Sequence, residues 1–148
     1  MKRLIAEPVS EEHYTADACI VWCLDARFSH LLESFLKHEE MAHVDLLKVA
    51  GGARGLASRA TDAERDYLLN QIETSLRLHK TPIIVLMVHA GCGAYDQRFS
   101  RKDEEEKFYS SELGKARAAV SLYLRERGIA ARVLAYYADF EGLIEIEP

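Results

Sequence analysis

The chain has 148 residues, 49% of them hydrophobic and 29% charged, and a formal net charge of −5. This length suits a single domain over residues 1–148. No apolar run approaches the roughly 18 residues that a membrane span needs, and the start of the sequence has no secretory signal pattern. The acidic balance argues against a nucleic-acid partner, because phosphate binding depends on clustered Lys and Arg, so we expect a cytoplasmic globular protein that acts on a small molecule.

The first half of the sequence predicts two strands, each followed by a helix. The apolar run from Cys19 to Cys23 is rich in β-forming residues and predicts a buried strand, after which leucines recur at helical spacing. Val44 to Val49 predicts a second strand, closed by a pair of glycines. Thr61 and Glu64 then have the spacing of a capping box, which predicts the start of an amphipathic helix.

The second half repeats this alternation. Pro82 to Val88 is a continuous apolar run, as expected for a strand buried on both faces of a parallel sheet. A polar stretch from Tyr95 to Ser111 precedes a predicted helix that ends at Gly128. Ala131 to Ala138 predicts a fourth strand, and Leu143 to Glu147 predicts a short edge strand.

Strands and helices that alternate in this way predict a doubly wound α/β fold, with a mostly parallel sheet and helices on both faces. We expect the strand order 2-1-3-4, extended by the short C-terminal edge strand. In this order the direction of winding reverses between strands one and three, and ligands bind at such a reversal, beyond the carboxyl ends of the strands. Residues that follow strands one and three are therefore the first candidates for function.

Two short motifs occupy these positions. Cys23, Asp25 and Arg27 come after the first strand, and His89 and Cys92 come after the third. Two cysteines and one histidine are a ligand set for zinc, which with three protein ligands keeps a fourth position for water. In an extended segment alternate residues face the same way, so Arg27 can orient the Asp25 carboxylate through a forked pair of hydrogen bonds and keep it ionised beside the metal.

The remaining cysteine and the histidines of the first half have simpler explanations. Cys19 and Cys23 lie about 13 Å apart along a strand, too far to share an ion, so we expect Cys19 in the core. His30, His38 and His43 are expected to face the solvent or to cap a helix. The alternative for the motif residues themselves is that the cysteines fill the core and the charged residues form a surface ion pair.

The two motifs resemble those of the β-class carbonic anhydrases. The first is Cys-x-Asp-x-Arg, present here as CLDAR from Cys23 to Arg27, and the second is His-x-x-Cys, present within HAGCGA from His89 to Ala94. The segment KVAGG, Lys48 to Gly52, is similar to the glycine segment of this family after its second strand, and DFEGLIEI resembles its closing strand. The resemblance covers most of the chain.

The resemblance implies a zinc ion on Cys23, His89 and Cys92, with Asp25 paired to Arg27 as a catalytic dyad. In some members of the family the equivalent aspartate is itself a zinc ligand. The implied activity is the reversible hydration of carbon dioxide to bicarbonate, in a homodimer or a larger homo-oligomer. Two alternatives stay open on the same residues: hydrolysis of carbonyl sulfide or carbon disulfide, and a non-catalytic protein that binds zinc or bicarbonate, with Asp25 permanently closing the coordination shell.

Overall fold

The computed structural model describes residues 1–57 and 60–148. Four strands in this part of the chain are parallel: β1 (Ala18–Cys23), β2 (Val44–Val49), β3 (Ile83–His89) and β4 (Arg132–Ala138). A fifth, β5 (Leu143–Glu145), pairs with β4 in the antiparallel direction. The strand order is β2-β1-β3-β4-β5, which confirms the predicted doubly wound α/β fold and its order.

Within residues 1–57 and 60–148, three α-helices connect the parallel strands: α1 (Ser29–His38), α2 (Asp62–His79) and α3 (Lys102–Glu126). Two neighbouring tyrosines of β4 show that the helices cover both faces of the sheet. The ring of Tyr136 packs against Phe35 of α1, with centroids 5.1 Å apart, and the ring of Tyr137 stacks on Tyr109 of α3 at 5.6 Å. Because successive strand residues point to opposite faces, α1 and α3 lie on opposite sides of the sheet. No helix in the described ranges is long and apolar enough to cross a bilayer.

The core is built around the two central strands. All six residues of β1 and the last six of β3 are buried. Strands covered on both faces have no polar side, which explains why both appear in the sequence as uninterrupted apolar runs. The strand β2 lies at the edge and exposes Leu46 and Lys48. The carboxyl ends of β1 and β3 are therefore held by the most completely buried part of the sheet.

The predicted capping box is present at the start of α2. The hydroxyl of Thr61 accepts the backbone N–H of Glu64 at 3.2 Å, and the Glu64 carboxylate accepts the backbone N–H of Thr61 at 2.9 Å. This exchange provides acceptors for two N–H groups near the helix start.

The ends of β1, β3 and β4 differ from the prediction by one residue, and two other boundaries differ by more. The helix α3 begins at Lys102, inside the stretch Tyr95 to Ser111 that was expected to precede it. Its first turn holds Asp103, Glu104 and Glu105, which are favourable at the positive end of the helix dipole. Because this turn has no apolar residues at helical spacing, the hydrophobic pattern does not indicate the start of the helix. The strand β5 stops at Glu145, two residues before the predicted end.

Candidate metal centre

The sheet order brings the ends of β1 and β3 side by side. Cys23 is the last residue of β1, His89 is the last residue of β3, and Cys92 follows within the next three residues. One ligand atom from each, sulfur or ring nitrogen, lies within 4.8 Å of the other two. All three residues are buried. The structure therefore contains a buried Cys–His–Cys group that could hold a metal ion.

Gly52 allows the loop after β2 to pack closely against this group. Its φ is 57°, and a Cβ there would lie 2.2 Å from the carbonyl oxygen of Met87 and 3.3 Å from the backbone nitrogen of Cys23. Glycine alone adopts this conformation without strain and leaves this space free. The second glycine of the pair after β2 thus has a direct structural reason.

His89 is oriented for ligation. Its Nδ1 lies 2.8 Å from the carbonyl oxygen of Ala90, which can only accept, so Nδ1 carries the proton and Nε2 carries the lone pair. Nε2 is buried and makes no hydrogen bond within the described part of the chain. The imidazole also packs against the ring of Phe28, with centroids 4.3 Å apart. A buried nitrogen without a partner is costly, and a metal ion would remove that cost.

The pKa values of the two thiols are shifted in opposite directions. Hydrogen bonding from the neighbouring Cys92 thiol lowers the pKa of Cys23 to about 4, although burial acts in the other direction. The same interaction, together with burial, raises the pKa of Cys92 well above its usual range. The site therefore stabilises one thiolate by itself and requires a cation to stabilise the second.

Asp25 lies beside the Cys–His–Cys group and is held by Arg27. The guanidinium donates from Nε to Oδ1 at 3.0 Å and from Nη2 to Oδ2 at 2.6 Å, and the Arg27 backbone N–H donates to Oδ1 at 3.0 Å. These hydrogen bonds lower the pKa of Asp25 to about 2, so the carboxylate is ionised at neutral pH. Its Oδ2 lies 3.8 Å from Nε2 of His89.

The path from Asp25 to Arg27 differs from the expected one. The prediction placed Cys23, Asp25 and Arg27 on one side of an extended segment. Cys23 ends β1 and Asp25 is extended, but Arg27 lies in a short 3₁₀ turn over Ala26–Phe28, in which the Asp25 carboxylate caps the turn by accepting the Arg27 N–H. The turn, and not strand periodicity, brings the guanidinium back to the carboxylate.

Several residues that support the site were missed in the sequence. Glu105 of α3 accepts the backbone N–H of Gly91 at 2.8 Å, between the two ligand candidates of that loop. Lys102 donates to Asp139 at 2.9 Å and to Glu141 at 3.2 Å, in the turn that follows β4. The sequence signal was weak, because a charged run usually faces solvent and nothing in its composition marks which carboxylate turns inward. A correct start for α3 would have placed these residues beside the loop after β3.

The other cysteine and the histidines of the first half lie outside the group. Cys19 is buried at the opposite end of β1, as expected, and burial raises its pKa to about 12. His30 and His38 lie exposed on α1, and His43 is exposed just before β2. Arg54, after the glycine pair, pairs with Glu64 at 3.0 Å.

A family model described as "Putative carbonic anhydrase" matches residues 13–146. The chain belongs to this family. The resemblance that the motifs indicated is therefore confirmed, and the protein is β-carbonic-anhydrase-like in sequence and fold. A comparison with curated proteins finds no match.

Solved structures share the fold of this carbonic anhydrase-like protein. β-Carbonic anhydrase isoform I of Trichomonas vaginalis superposes with a TM-score of 0.55 at 13% identity, over 96% of this chain and 87% of that one. A tetrameric β-carbonic anhydrase of Sordaria macrospora has a TM-score of 0.55 at 15% identity, over 91% and 82%. A carbon disulfide hydrolase has a TM-score of 0.52 at 14% identity, over 90% and 81%. At these identities the likeness establishes the fold.

Proposed function

We propose that this protein catalyses the zinc-dependent, reversible hydration of carbon dioxide to bicarbonate. The observation that carries the proposal is the buried Cys–His–Cys group with an ionised carboxylate beside it. Membership of the carbonic anhydrase family supports the same reaction class.

The donor set fits zinc. Thiolate and imidazole suit zinc, whereas magnesium and calcium prefer oxygen ligands. Cys23, His89 and Cys92 would hold the ion, and a fourth position would remain for water or for Asp25. When bound, zinc supplies Lewis-acid activation of water at neutral pH.

The chain's own residues then control the water. The Asp25 carboxylate can accept a hydrogen bond from a water molecule next to His89, because Arg27 keeps it ionised. Arg27 also restrains this carboxylate through two guanidinium nitrogens, so Asp25 becomes free to ligate the metal only when Arg27 releases it. Phe28 covers one face of the His89 ring and keeps solvent from that side.

Stopped-flow hydration of carbon dioxide by the zinc-loaded protein tests this proposal. We expect Cys92→Ser to lose both zinc and activity, and Asp25→Ala to keep zinc but lose activity by about 100-fold or more. Asp66→Ala, which removes an exposed carboxylate on α2, is the matched control and should behave as wild type. Wild-type activity no higher than that of Cys92→Ser and Asp25→Ala would reject the assignment.

The same experiment tests two alternative functions for these residues. A carbon disulfide hydrolase shares the fold, so sulfide release from carbon disulfide or carbonyl sulfide should be measured in parallel. Sulfide release without hydration of carbon dioxide would replace the proposed substrate. An absence of both activities, with a cobalt absorption spectrum that does not change with pH, would indicate a non-catalytic site closed by Asp25.

We also propose that the protein forms a homodimer or a larger homo-oligomer. A related β-carbonic anhydrase with the same fold is tetrameric, and the edge strand β2 exposes Leu46. Light scattering of the purified protein measures the assembly directly, and a monomer at micromolar concentration would contradict it. The cytoplasmic location and the single-domain organisation stay predictions from the sequence.

A further inference from the structure

The guanidinium of Arg27 lies beside two neighbouring aromatic rings. Its Cζ is 5.8 Å from the ring centroid of Phe28 and 5.7 Å from that of Phe140. The two rings are themselves 5.8 Å apart. Aromatic faces attract a guanidinium at these distances. Although the Arg27 side chain is 55% exposed, both rings lie close enough to help hold it on Asp25.

The two rings differ in what fixes them. Phe28 is buried and packs on His89, so its position belongs to the core. Phe140 is 69% exposed, although it is a large apolar side chain. Burial therefore does not explain why a phenylalanine occupies this position, whereas its contact with Arg27 does.

The backbone that carries Phe140 is held by hydrogen bonds. The carboxylate of Asp139 accepts the N–H groups of Glu141 and Gly142, at 2.8 and 2.9 Å, and also pairs with Lys102 at 2.9 Å. The Asp139 N–H in turn donates to the Gly142 carbonyl at 3.0 Å. A tight turn with this many internal hydrogen bonds presents Phe140 in a defined place although most of its side chain is exposed.

Gly91 completes the contact between the turn and the metal loop. Its φ is 60°, and a Cβ built there would lie 3.5 Å from the terminal ring carbon of Phe140. The Gly91 carbonyl also accepts from Nη2 of Arg27, at 3.4 Å. The Phe140 ring therefore lies next to the loop between His89 and Cys92, where any side chain at position 91 would contact it.

We propose that Phe140 is a positioning residue that holds Arg27 on Asp25 and so sets how often the carboxylate is released. The inference rests on the proposed function only for the consequence of release, which is that a free Asp25 can take the fourth position on the metal. Removing the ring leaves the guanidinium with one aromatic face instead of two. An exposed contact of this kind shifts the balance between held and released Arg27 by about two- to fivefold.

Hydrogen exchange at the Nε–H of Arg27, measured by NMR on the zinc-loaded protein, tests this role independently of activity. Nε of Arg27 donates this proton to Oδ1 of Asp25, with 3.0 Å between the two atoms. Exchange of the proton with solvent therefore reports how often Arg27 releases the carboxylate. The signal is assigned by its loss in Arg27→Lys. We expect exchange to rise about two- to fivefold in Phe140→Ala and Phe140→Leu, and to return to the wild-type rate in Phe140→Trp. Tyr67→Ala, which removes an aromatic ring of similar exposure on α2, should leave the rate unchanged.

The variants separate the possible results. Wild-type exchange in Phe140→Ala, or a wild-type rate restored by leucine, would overturn the role of the aromatic face. A change of oligomeric state in Phe140→Ala with no change in exchange would show that the ring serves a subunit interface instead. Exchange that responds as expected in a protein without hydration activity would remove the proposed function and leave the positioning of Arg27 intact.

Discussion

The two ends of β1 each carry a cysteine, and each cysteine has an aspartate and a histidine nearby. At the carboxyl end, Cys23 lies with His89 and Asp25. At the amino end, Cys19 is paired across the strands with Asp45 of β2, which binds a histidine of α2. The two clusters have similar residue types, yet the pKa values of Cys19 and Cys23 are shifted in opposite directions, and the hydrogen bonding of their histidines differs.

The amino-end cluster is fully paired. The carboxylate of Asp45 accepts from Tyr14 at 2.7 Å and from Ser75 at 2.6 Å, and it pairs with Nδ1 of His79 at 2.7 Å. Burial opposes the charge, but these hydrogen bonds outweigh it and lower the pKa of Asp45. Cys19 stays protonated, because burial raises its pKa to about 12. This cluster joins the N-terminal segment and the end of α2 to the edge strand, which is a structural task.

The carboxyl-end cluster is incomplete. Nε2 of His89 is buried and makes no hydrogen bond within the described residues, while the pKa of Cys23 is lowered to about 4. Unsatisfied buried donors and acceptors are costly, and a bound ion is one way to complete them. Residue types alone therefore do not mark a metal site. The free lone pair and the stabilised thiolate mark it.

The two cysteines of β1 can be replaced one at a time to test which of them binds metal. We expect Cys23→Ser to weaken zinc binding by more than about 100-fold, beyond the usual cost of removing a supporting residue, because it removes a ligand. Cys19→Ser should keep one zinc per chain, since Ser75 is within hydrogen-bonding reach of the new hydroxyl. Metal content and competitive chelator titration measure both. Equal loss of zinc in the two variants would mean that the metal content reflects the general stability of the protein and not the loss of a ligand.

The carboxyl-end cluster could be predicted because both of its motifs are local. Three of its residues lie within Cys23 to Arg27 and two within His89 to Cys92, and the strand order places these segments side by side. The amino-end cluster could not be predicted, because Tyr14, Asp45 and His79 lie on three separate segments with no shared spacing. Their contacts follow from how the segments pack, which sequence periodicity does not describe.

The supporting residues of the metal loop also escaped prediction, for a different reason. Phe140 is exposed and Glu105 belongs to a charged run, and both features usually indicate a residue without a specific partner. The 3₁₀ turn that brings Arg27 to Asp25 follows from a single capping hydrogen bond. Single hydrogen bonds and ring contacts do not alter the hydrophobic pattern of the sequence, so only the folded structure reveals them.

A smaller effect is expected from the support that α3 gives to the metal loop. Glu105→Gln keeps the size of the side chain but loses the charge that strengthens its bond to the Gly91 N–H, so we expect zinc affinity to fall about 10-fold. Glu104→Gln changes the neighbouring exposed carboxylate and is the matched control, with wild-type affinity expected. Chelator titration distinguishes them, and equal affinities in the two variants would show that Glu105 does not support the loop.

The smallest effect concerns the paired cluster at the amino end and appears in the pH dependence of stability. The pKa of Asp45 is lowered in the folded chain, so ionised Asp45 stabilises the fold above its unfolded pKa near 3.9, and this contribution is lost as the pH falls through the lower folded value. Asp45→Asn should therefore reduce the free energy of unfolding by about 1 kcal/mol at pH 7, and this difference should shrink below about pH 4.

Urea unfolding at several pH values measures this difference. Both proteins should carry Cys23→Ser, so that acid release of zinc does not contribute. A difference that stays constant down to pH 3 would mean that Asp45 acts through packing and not through its charge. If the difference in the free energy of unfolding declines as expected, the electrostatic stabilisation at this end of β1 belongs to the Asp45 carboxylate. In the same background, Cys19→Ser should cause no pH-dependent change, because the Cys19 thiol is a neutral part of the core.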